Sequence, residues 1–491
     1  MPKLPIDDVL PEIKETLSRN SRLVLQAPPG AGKTTAVPIA LLDQPWLADK
    51  QIIMLEPRRL AARNAAARMA CLLDEQVGET VGYQIRQDSC FSQQTRILVL
   101  TEGILTRRLQ ADPELGSAAL VIFDEFHERS LHADLSLALC LQSQQIIRDD
   151  LKLLVMSATL NSNAISVLLD DAPVIQSEGR CYPVDISYSE SPIMPNDRQS
   201  LGKNVLDTVK RVIHEQHGNC LIFLPGVKEI NQLAGSISHY LEDASIDNIL
   251  VAPLHGSLNK QQQDRAISPP PPDTRKIVLA TNIAETSLTI EGIDCVIDSG
   301  LERILEYDPS SAMNRLTTRA ISQDSADQRS GRAGRLSAGT CYRLWSSRQQ
   351  QRLARHSLAE ILHSDLSSLV LELSNWGVSQ PDELSWLDIP PANATDQAKA
   401  LLLQLDALDT ESRISGHGRN MLELGTHPRL AHMMLKSAEL GQAYHGCLIA
   451  AILSERDFYL AGTEKSYDIH DRISVLHAFH TARKKPQRGI D

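Results

Sequence analysis

The sequence predicts an α/β chain: two successive domains with parallel sheets, followed by a mostly helical region. Three observations carry this. Short apolar runs alternate with longer helical patterns across residues 21–159. The alternation starts again and continues across 219–300. After about residue 345 it stops and helical periodicity takes over.

The first strand set is SRLVLQA (21–27), QIIMLEP (51–57), TRILVLT (95–101), ALVIFDE (119–125) and LKLLVMSAT (151–159). Each run is apolar on both alternating faces, as a strand covered by helices on both sides requires. The second set is NCLIFLPG (219–226), DNILVAPLHG (247–256), RKIVLAT (275–281) and IDCVIDSG (293–300). The polar, proline-bearing stretch 177–200 separates the two sets, and SPPPPD (268–273) reads as a stiff surface spacer. ARHSLAEILHSDLSSLVLELSNWG (354–377) is expected to be helical and to stop at Gly377. DIPPAN (388–393) breaks the chain, and helices are expected from 394 to the end.

Composition narrows the function classes. A chain of 491 residues is too long for one core, so three or four domains are expected. No apolar run reaches the about 18–20 residues of a membrane span, and the N-terminus lacks a signal-peptide pattern, so a cytoplasmic protein with no membrane partner is expected. The eight cysteines form no CxxC pair, and the fifteen histidines form no ligand pattern. A net charge of −12 argues against coating nucleic acid by bulk charge. It leaves room for a local basic channel.

The chemistry lies in short motifs. Ala27, Pro28, Pro29, Gly30, Ala31, Gly32, Lys33, Thr34 and Thr35 lie between a strand and a helix in a relaxed phosphate-binding pattern, with Ala27 at the place usually held by glycine. Glycines let backbone N–H groups turn onto phosphate oxygens, and the helix N-terminus adds positive potential. Lys33 would reach the β- and γ-phosphates, and Thr34 would ligate Mg²⁺. Asp124 and Glu125 close an apolar strand; Asp124 would hold Mg²⁺ through a water, and Glu125 would orient or deprotonate the attacking water. His127, two residues on, is a candidate sensor. In ADQRSGRAGR (326–335), Arg332 and Arg335 are candidate arginine fingers, on one face if the segment is helical, and Gln328 could hold the water.

Together these motifs resemble the DEAH/RHA branch of the superfamily 2 helicases. APPGAGKTT (27–35), EPRRLAARNAAARMA (56–70), TEGILTRRL (101–109), DEFH (124–127), SAT (157–159), LIFLPG (221–226), LHGSL (254–258), ATNIAETSLTI (280–290) and QRSGRAGR (328–335) run in family order. Phe126 departs from the wider family and fits a bacterial subgroup that reads DEFH. The resemblance implies a helicase ATP-binding RecA-like domain over 1–183, a second RecA-like domain over 184–345, a winged-helix-like domain over 346–391, and part of a helical ratchet over 392–491. It also implies that the family continues into an OB-fold, so this chain is expected to be C-terminally short.

The resemblance implies further roles. Ser157 and Thr159 would couple hydrolysis to movement. Arg59, Thr101, Glu102, Thr281 and Asn282 would meet the nucleic-acid backbone. Arg68 would stack on adenine, opposite Ile267 where the family usually has an aromatic, so other NTPs are expected to be accepted. Thr289 and Glu291 would lie near the ribose, and 301–322 would hold a strand-separating β-hairpin. The expected activity is ATP-dependent movement, 3′ to 5′, along single-stranded RNA or DNA by a monomer, with a protein activator as a candidate partner. An ATP-gated clamp with little unwinding is the alternative.

Overall fold

The computed structural model describes residues 3–158, 162–179, 182–190, 194–195, 197–216, 218–285, 290, 292–455, 457–459 and 466–482. Two parallel sheets dominate. The first holds β1 (Arg22–Gln26), β2 (Gln51–Glu56), β3 (Val81–Ile85), β4 (Asp88–Cys90), β5 (Ile97–Thr101), β6 (Ala118–Phe123), β7 (Lys152–Ser157) and β8 (Val174–Gln176). Their order is β4-β3-β5-β2-β6-β7-β1-β8, and only the β3–β4 pair is antiparallel. The second sheet uses β9 (Val184–Tyr188), β10 (Asn219–Phe223), β11 (Ile249–Leu254), β12 (Arg275–Ala280) and β13 (Ile293–Asp298). After the antiparallel hairpin of β14 (Leu301–Asp308) and β15 (Met313–Ala320), β16 (Gly339–Arg343) completes it. The order is β11-β12-β10-β13-β16-β9, parallel throughout.

All nine expected strands are present; β6 starts one residue before its run, at Ala118, and the other eight lie within theirs. All six residues of β6 are buried, as a strand covered on both faces must be. The reading missed five strands, each for a physical reason. β3 has Gly82, Tyr83 and Gln84 in the middle of its run, and β4 has only three residues. β8 has three residues. β9 and β16 lie toward one edge of the second sheet, where side chains need not be apolar.

The helix expected over 354–377 is shorter: it spans Ser367–Trp376. Upstream of it the backbone is used elsewhere. Glu360 N–H donates to Arg129 O at 3.0 Å, and the Glu360 carboxylate accepts from Leu131 N–H at 2.9 Å. Asp365 then accepts from Ser367 N–H at 2.8 Å and starts the helix. Gly377 ends it in the left-handed conformation, φ +93°, as expected.

The chain divides into two compact units. One comprises Met1–Ser364 with Leu384–Ile389, and so contains both sheets; the other comprises Asp365–Glu383 with Pro390–Asp491. The segment expected as a winged helix, 346–391, is thus shared between them. The second unit is helical: besides Ser367–Trp376 it has Ala392–Gln404, Gly416–Leu424, Pro428–Glu439, Ala443–Ser454 and Ile469–Ala482. Within it, the Asp365 carboxylate pairs with His427 Nε2 at 3.0 Å. Among the described residues, no helix is long and apolar enough to cross a membrane.

The turn between β13 and β14 is a tight point. Gly300 has φ +71°, and a Cβ there would sit 2.6 Å from the ring of Trp345, which is 1% exposed. Gly300→Ala should therefore combine left-handed strain with overpacking and destabilise this unit by about 2–4 kcal/mol. A lowered thermal midpoint is expected; an unchanged one would mean that the turn relaxes freely.

Candidate nucleotide and nucleic-acid sites

The phosphate loop leaves the carboxyl end of β1. Gly30 and Gly32 have φ +88° and +96°, conformations that L side chains rarely adopt. The loop floor is the N-terminal segment: Ile6 N–H donates to Ala31 O at 3.1 Å. Gly32 caps the helix Lys33–Ala40. Ala27, Ala31 and Lys33 are buried; Pro28, Pro29, Gly30, Gly32, Thr34 and Thr35 lie along the loop and the first turn of that helix.

Asp124 and Glu125 follow β6 and are both buried. Lys33 Nζ lies 3.0 Å from Glu125 Oε2 and 3.7 Å from Asp124 Oδ1. Thr34 Oγ1 donates to Asp124 Oδ2 at 2.5 Å. Burial alone would discharge all three groups, but their pairing opposes it. The two carboxylates hold Lys33 above its ordinary value against that burial. Lys33 and His127 outweigh burial at Glu125 and hold its carboxyl low. Burial and the Glu125 charge push Asp124 up. Glu125 is the nearer of the two carboxylates to the Lys33 ammonium, at 3.0 Å. Glu125 itself has φ +50°, a strained backbone for a residue with a side chain.

Burial also lowers His127, so its imidazole is neutral at pH 7. Its Nδ1 accepts from Ala158 N–H at 3.3 Å, which leaves the proton on Nε2, 3.5 Å from Glu125 Oε2. The histidine thus lies between Glu125 and the segment after Ser157, hydrogen-bonded to that segment but not to Glu125. Ser157 is buried at the end of β7, and Thr159 lies outside the described residues.

The second sheet supplies the cations. The helix Gln323–Ser330 ends before the fingers, so Arg332 and Arg335 sit in successive turns and not on a helix face. After Gly331 the backbone closes in tighter turns, with Arg332 N–H donating to Arg329 O and Ala333 N–H to Ser330 O, both at 3.1 Å. Arg332 is buried, donates to Glu285 O at 3.0 Å and feels the Glu125 charge. The Arg335 guanidinium lies against Gly30, about 3.9 Å from where its Cβ would be. Gln328 Oε1 is buried and has no hydrogen-bond partner among the described residues. It faces a cavity that His127 and Ser157 also line.

A second cavity, of about 740 Å³, brings together residues expected to meet a nucleotide: Lys33, Thr34, Glu125, Arg332 and Arg335, with Arg68 and Ile267 also in its lining. Arg68 is exposed and Ile267 partly buried, so these two offer one planar group and one aliphatic one. Thr289 and Glu291 lie outside the described residues.

The expected backbone contacts cluster at helix starts on the carboxyl edges of the sheets. Arg59 opens the helix Arg59–Leu72 and is exposed; Thr101 precedes the helix Glu102–Ala111. Neither helix start is capped by its own side chain, which leaves N–H groups for a phosphate. Strands β2 and β5, which lead into them, are neighbours. Thr281 and Asn282 begin a short turn after β12.

Four residues at these sites escaped the sequence reading. Arg58 bridges the lobes: it donates to Asn282 O at 2.8 Å and pairs with Glu128 at 3.1 Å. The double arginine signalled a site but not which one faces across. Glu285 accepts from Ser325 Oγ at 2.6 Å and Arg329 Nε at 2.9 Å, while its backbone carbonyl holds Arg332. Arg329, 1% exposed, also reaches Asp298 at 3.0 Å and packs on Phe223. Glu56 lines the nucleotide cavity. Nothing in sequence separates these charges from surface ones.

The chain matches the DEAD/DEAH box helicase model over residues 9–167 and the helicase conserved C-terminal domain model over 204–337. With the site's geometry, this places it in the DEAD/DEAH box helicase family. It is 47% identical over 455 residues to the ATP-dependent RNA helicase HrpB of Escherichia coli (strain K12), covering 93% of this chain and 55% of that protein. It is 35% identical over 461 residues to the HrpA homolog of Haemophilus influenzae (strain ATCC 51907 / DSM 11121 / KW20 / Rd), described as an ATP-dependent RNA helicase, covering 92% of this chain and 35% of that protein. The crystal structure of the Escherichia coli DEAH/RHA helicase HrpB superposes with a TM-score of 0.85 at 44% identity, over 98% of this chain and 61% of that one. The chain therefore spans about half the length of the first of these curated relatives and about a third of the second.

Glu102 is placed less simply than expected. Its carboxyl is hydrogen-bonded by Ser130 Oγ. Burial pushes it up to about 8 against that hydrogen bond, with Glu128, Glu360 and Asp134 adding to the rise. A neutral carboxyl tolerates a neighbouring phosphate, where a carboxylate would repel it. The folded value exceeds the ordinary 4.5, so this group's contribution to stability is complete below that and is lost as pH rises toward about 8. Wild type should thus lose stability relative to Glu102→Gln between pH about 5 and about 8, read from thermal midpoints. Parallel curves for the two proteins would refute the buried neutral carboxyl.

Proposed function

We propose that this chain is an ATP-driven motor that moves along single-stranded nucleic acid, with RNA, the polymer in both curated relatives' names, as the favoured track. One observation carries the reading: a single cavity between the two lobes brings Lys33 and Glu125 from one sheet against Arg332 and Arg335 from the other. Hydrolysis at such a seam is coupled to lobe closure, because the fingers act only when the lobes meet.

In this reading the loop amides and Lys33 hold the phosphates. Glu125, kept ionised, accepts a proton from the attacking water, and Gln328 Oε1 orients that water. Arg332 and Arg335 stabilise charge spreading on the transferring phosphoryl group. Thr34 and Asp124 have the hard oxygen donors that Mg²⁺ takes, which would neutralise phosphate charge when bound. His127 relays the state of Glu125 to the backbone after Ser157. Arg58, tied to Asn282, passes lobe closure to the helix starts at Arg59 and Thr101, which grip phosphates without reading bases. Polarity 3′ to 5′, a monomeric motor, acceptance of other NTPs at the Arg68–Ile267 end, a cytoplasmic setting, and the four-part division at 183, 345 and 391 belong to the same proposal.

Steady-state ATP hydrolysis should be measured without polymer, with single-stranded RNA and with single-stranded DNA. RNA should stimulate it. Glu125→Gln should lower turnover by about 10²–10⁴-fold. Hydrolysis indifferent to both polymers would remove the motor reading and favour a gated clamp or an activator-dependent enzyme. Arg335→Ala should lower turnover by about 10³-fold or more while ATP still binds. Normal turnover in that variant would show that Arg335 is not a finger.

A further inference from the structure

We propose that Glu56 is a second carboxylate of the divalent-cation site, holding the cation's water shell beside Asp124 and Thr34. The inference rests on the reading that this cavity binds a metal–nucleotide complex.

The strand register places Glu56. β2 and β6 are neighbours with Leu55 opposite Phe123, and Asp124 N–H donates to Leu55 O at 3.2 Å. Residue 56 therefore stands alongside residue 124 at the carboxyl edge, one interstrand spacing of about 4.8 Å away. Its side chain is 1% exposed and lines the same cavity as Thr34 and Glu125. Its Oε2 has no hydrogen-bond partner among the described residues. A buried polar atom left unpaired costs about 1–3 kcal/mol, and more if charged, so its retention calls for a partner that binds later.

Position names that partner. Glu56 stands beside Asp124 and shares a cavity with Thr34, the two residues read above as holding Mg²⁺. An unpaired carboxylate oxygen there can accept from the waters of a hydrated divalent cation. Among the described residues, no three His, Cys, Asp or Glu side chains converge to hold a metal directly. Contact through water is what remains, and it suits Mg²⁺, which keeps several of its waters.

The test uses the full chain and Mn²⁺ as the probe, with electron paramagnetic resonance reading bound Mn²⁺ in the presence of ADP. Glu56→Gln should weaken Mn²⁺ binding by about 10–100-fold, the usual loss on removing a group that holds a metal's ligands. ADP affinity in EDTA should stay at the wild-type level, which also reports an intact pocket. Glu56→Asp should recover part of the loss. Wild-type Mn²⁺ affinity in Glu56→Gln, or equal affinity in the Asp and Gln variants, would overturn the role of Glu56. Asp124→Asn separates the two readings: if it too binds Mn²⁺ normally, the metal–nucleotide reading fails along with the inference.

Discussion

Burying Lys33 constrains everything around it. An ammonium at 3% exposure is tolerable only with carboxylates close by, and those must themselves be buried to reach it. The fold meets this by ending β1 and β6 on one edge, so that the loop after β1 and the acids after β6 face each other. The requirement propagates. Glu125 reaches Lys33 from a left-handed backbone, and the one-turn helix that follows ends at Arg129, also left-handed at φ +51°. His127, between them, stays neutral and touches the next strand's exit.

The second lobe answers with positive charge, and Glu285 organises it. This residue belongs to the stretch after β12 that holds Thr281 and Asn282. Its carboxylate binds Ser325 and Arg329, and its carbonyl binds Arg332. A shift in the turn after β12 therefore moves the anchor of a candidate finger. With Arg58 fastened to Asn282, that turn is also tied by a hydrogen bond to the helix start after β2.

Much of this was legible in the sequence because the relevant signals are local. Unbroken apolar runs announced the nine expected strands. The phosphate loop and the acid pair were readable because glycine spacing and a strand tip are themselves the chemistry. What was missed depends on contacts far apart in the chain. Arg329 and Glu56 look like ordinary charged residues until the fold buries them at 1% exposure. The apolar periodicity of 354–377 suggested one helix, but tertiary hydrogen bonds from Glu360 to the turn after β6 stopped it short. Arg332 and Arg335 kept their expected neighbourhood while losing the helix face, because the backbone turns to three-residue bonds after Gly331.

The short return of Leu384–Ile389 into the first unit bears on how this protein is divided at the bench. Arg129, at the end of the turn that carries Glu125 and His127, is bound by Asp134 and by Asp388 from that return segment. A fragment cut at Ser364 would look like a complete pair of lobes and would still lack Asp388. The turn after β6 would lose one of the two carboxylates that restrain a strained arginine. Fragment boundaries drawn from linear order alone would thus loosen this turn, and the defect could be mistaken for dependence on the helical unit.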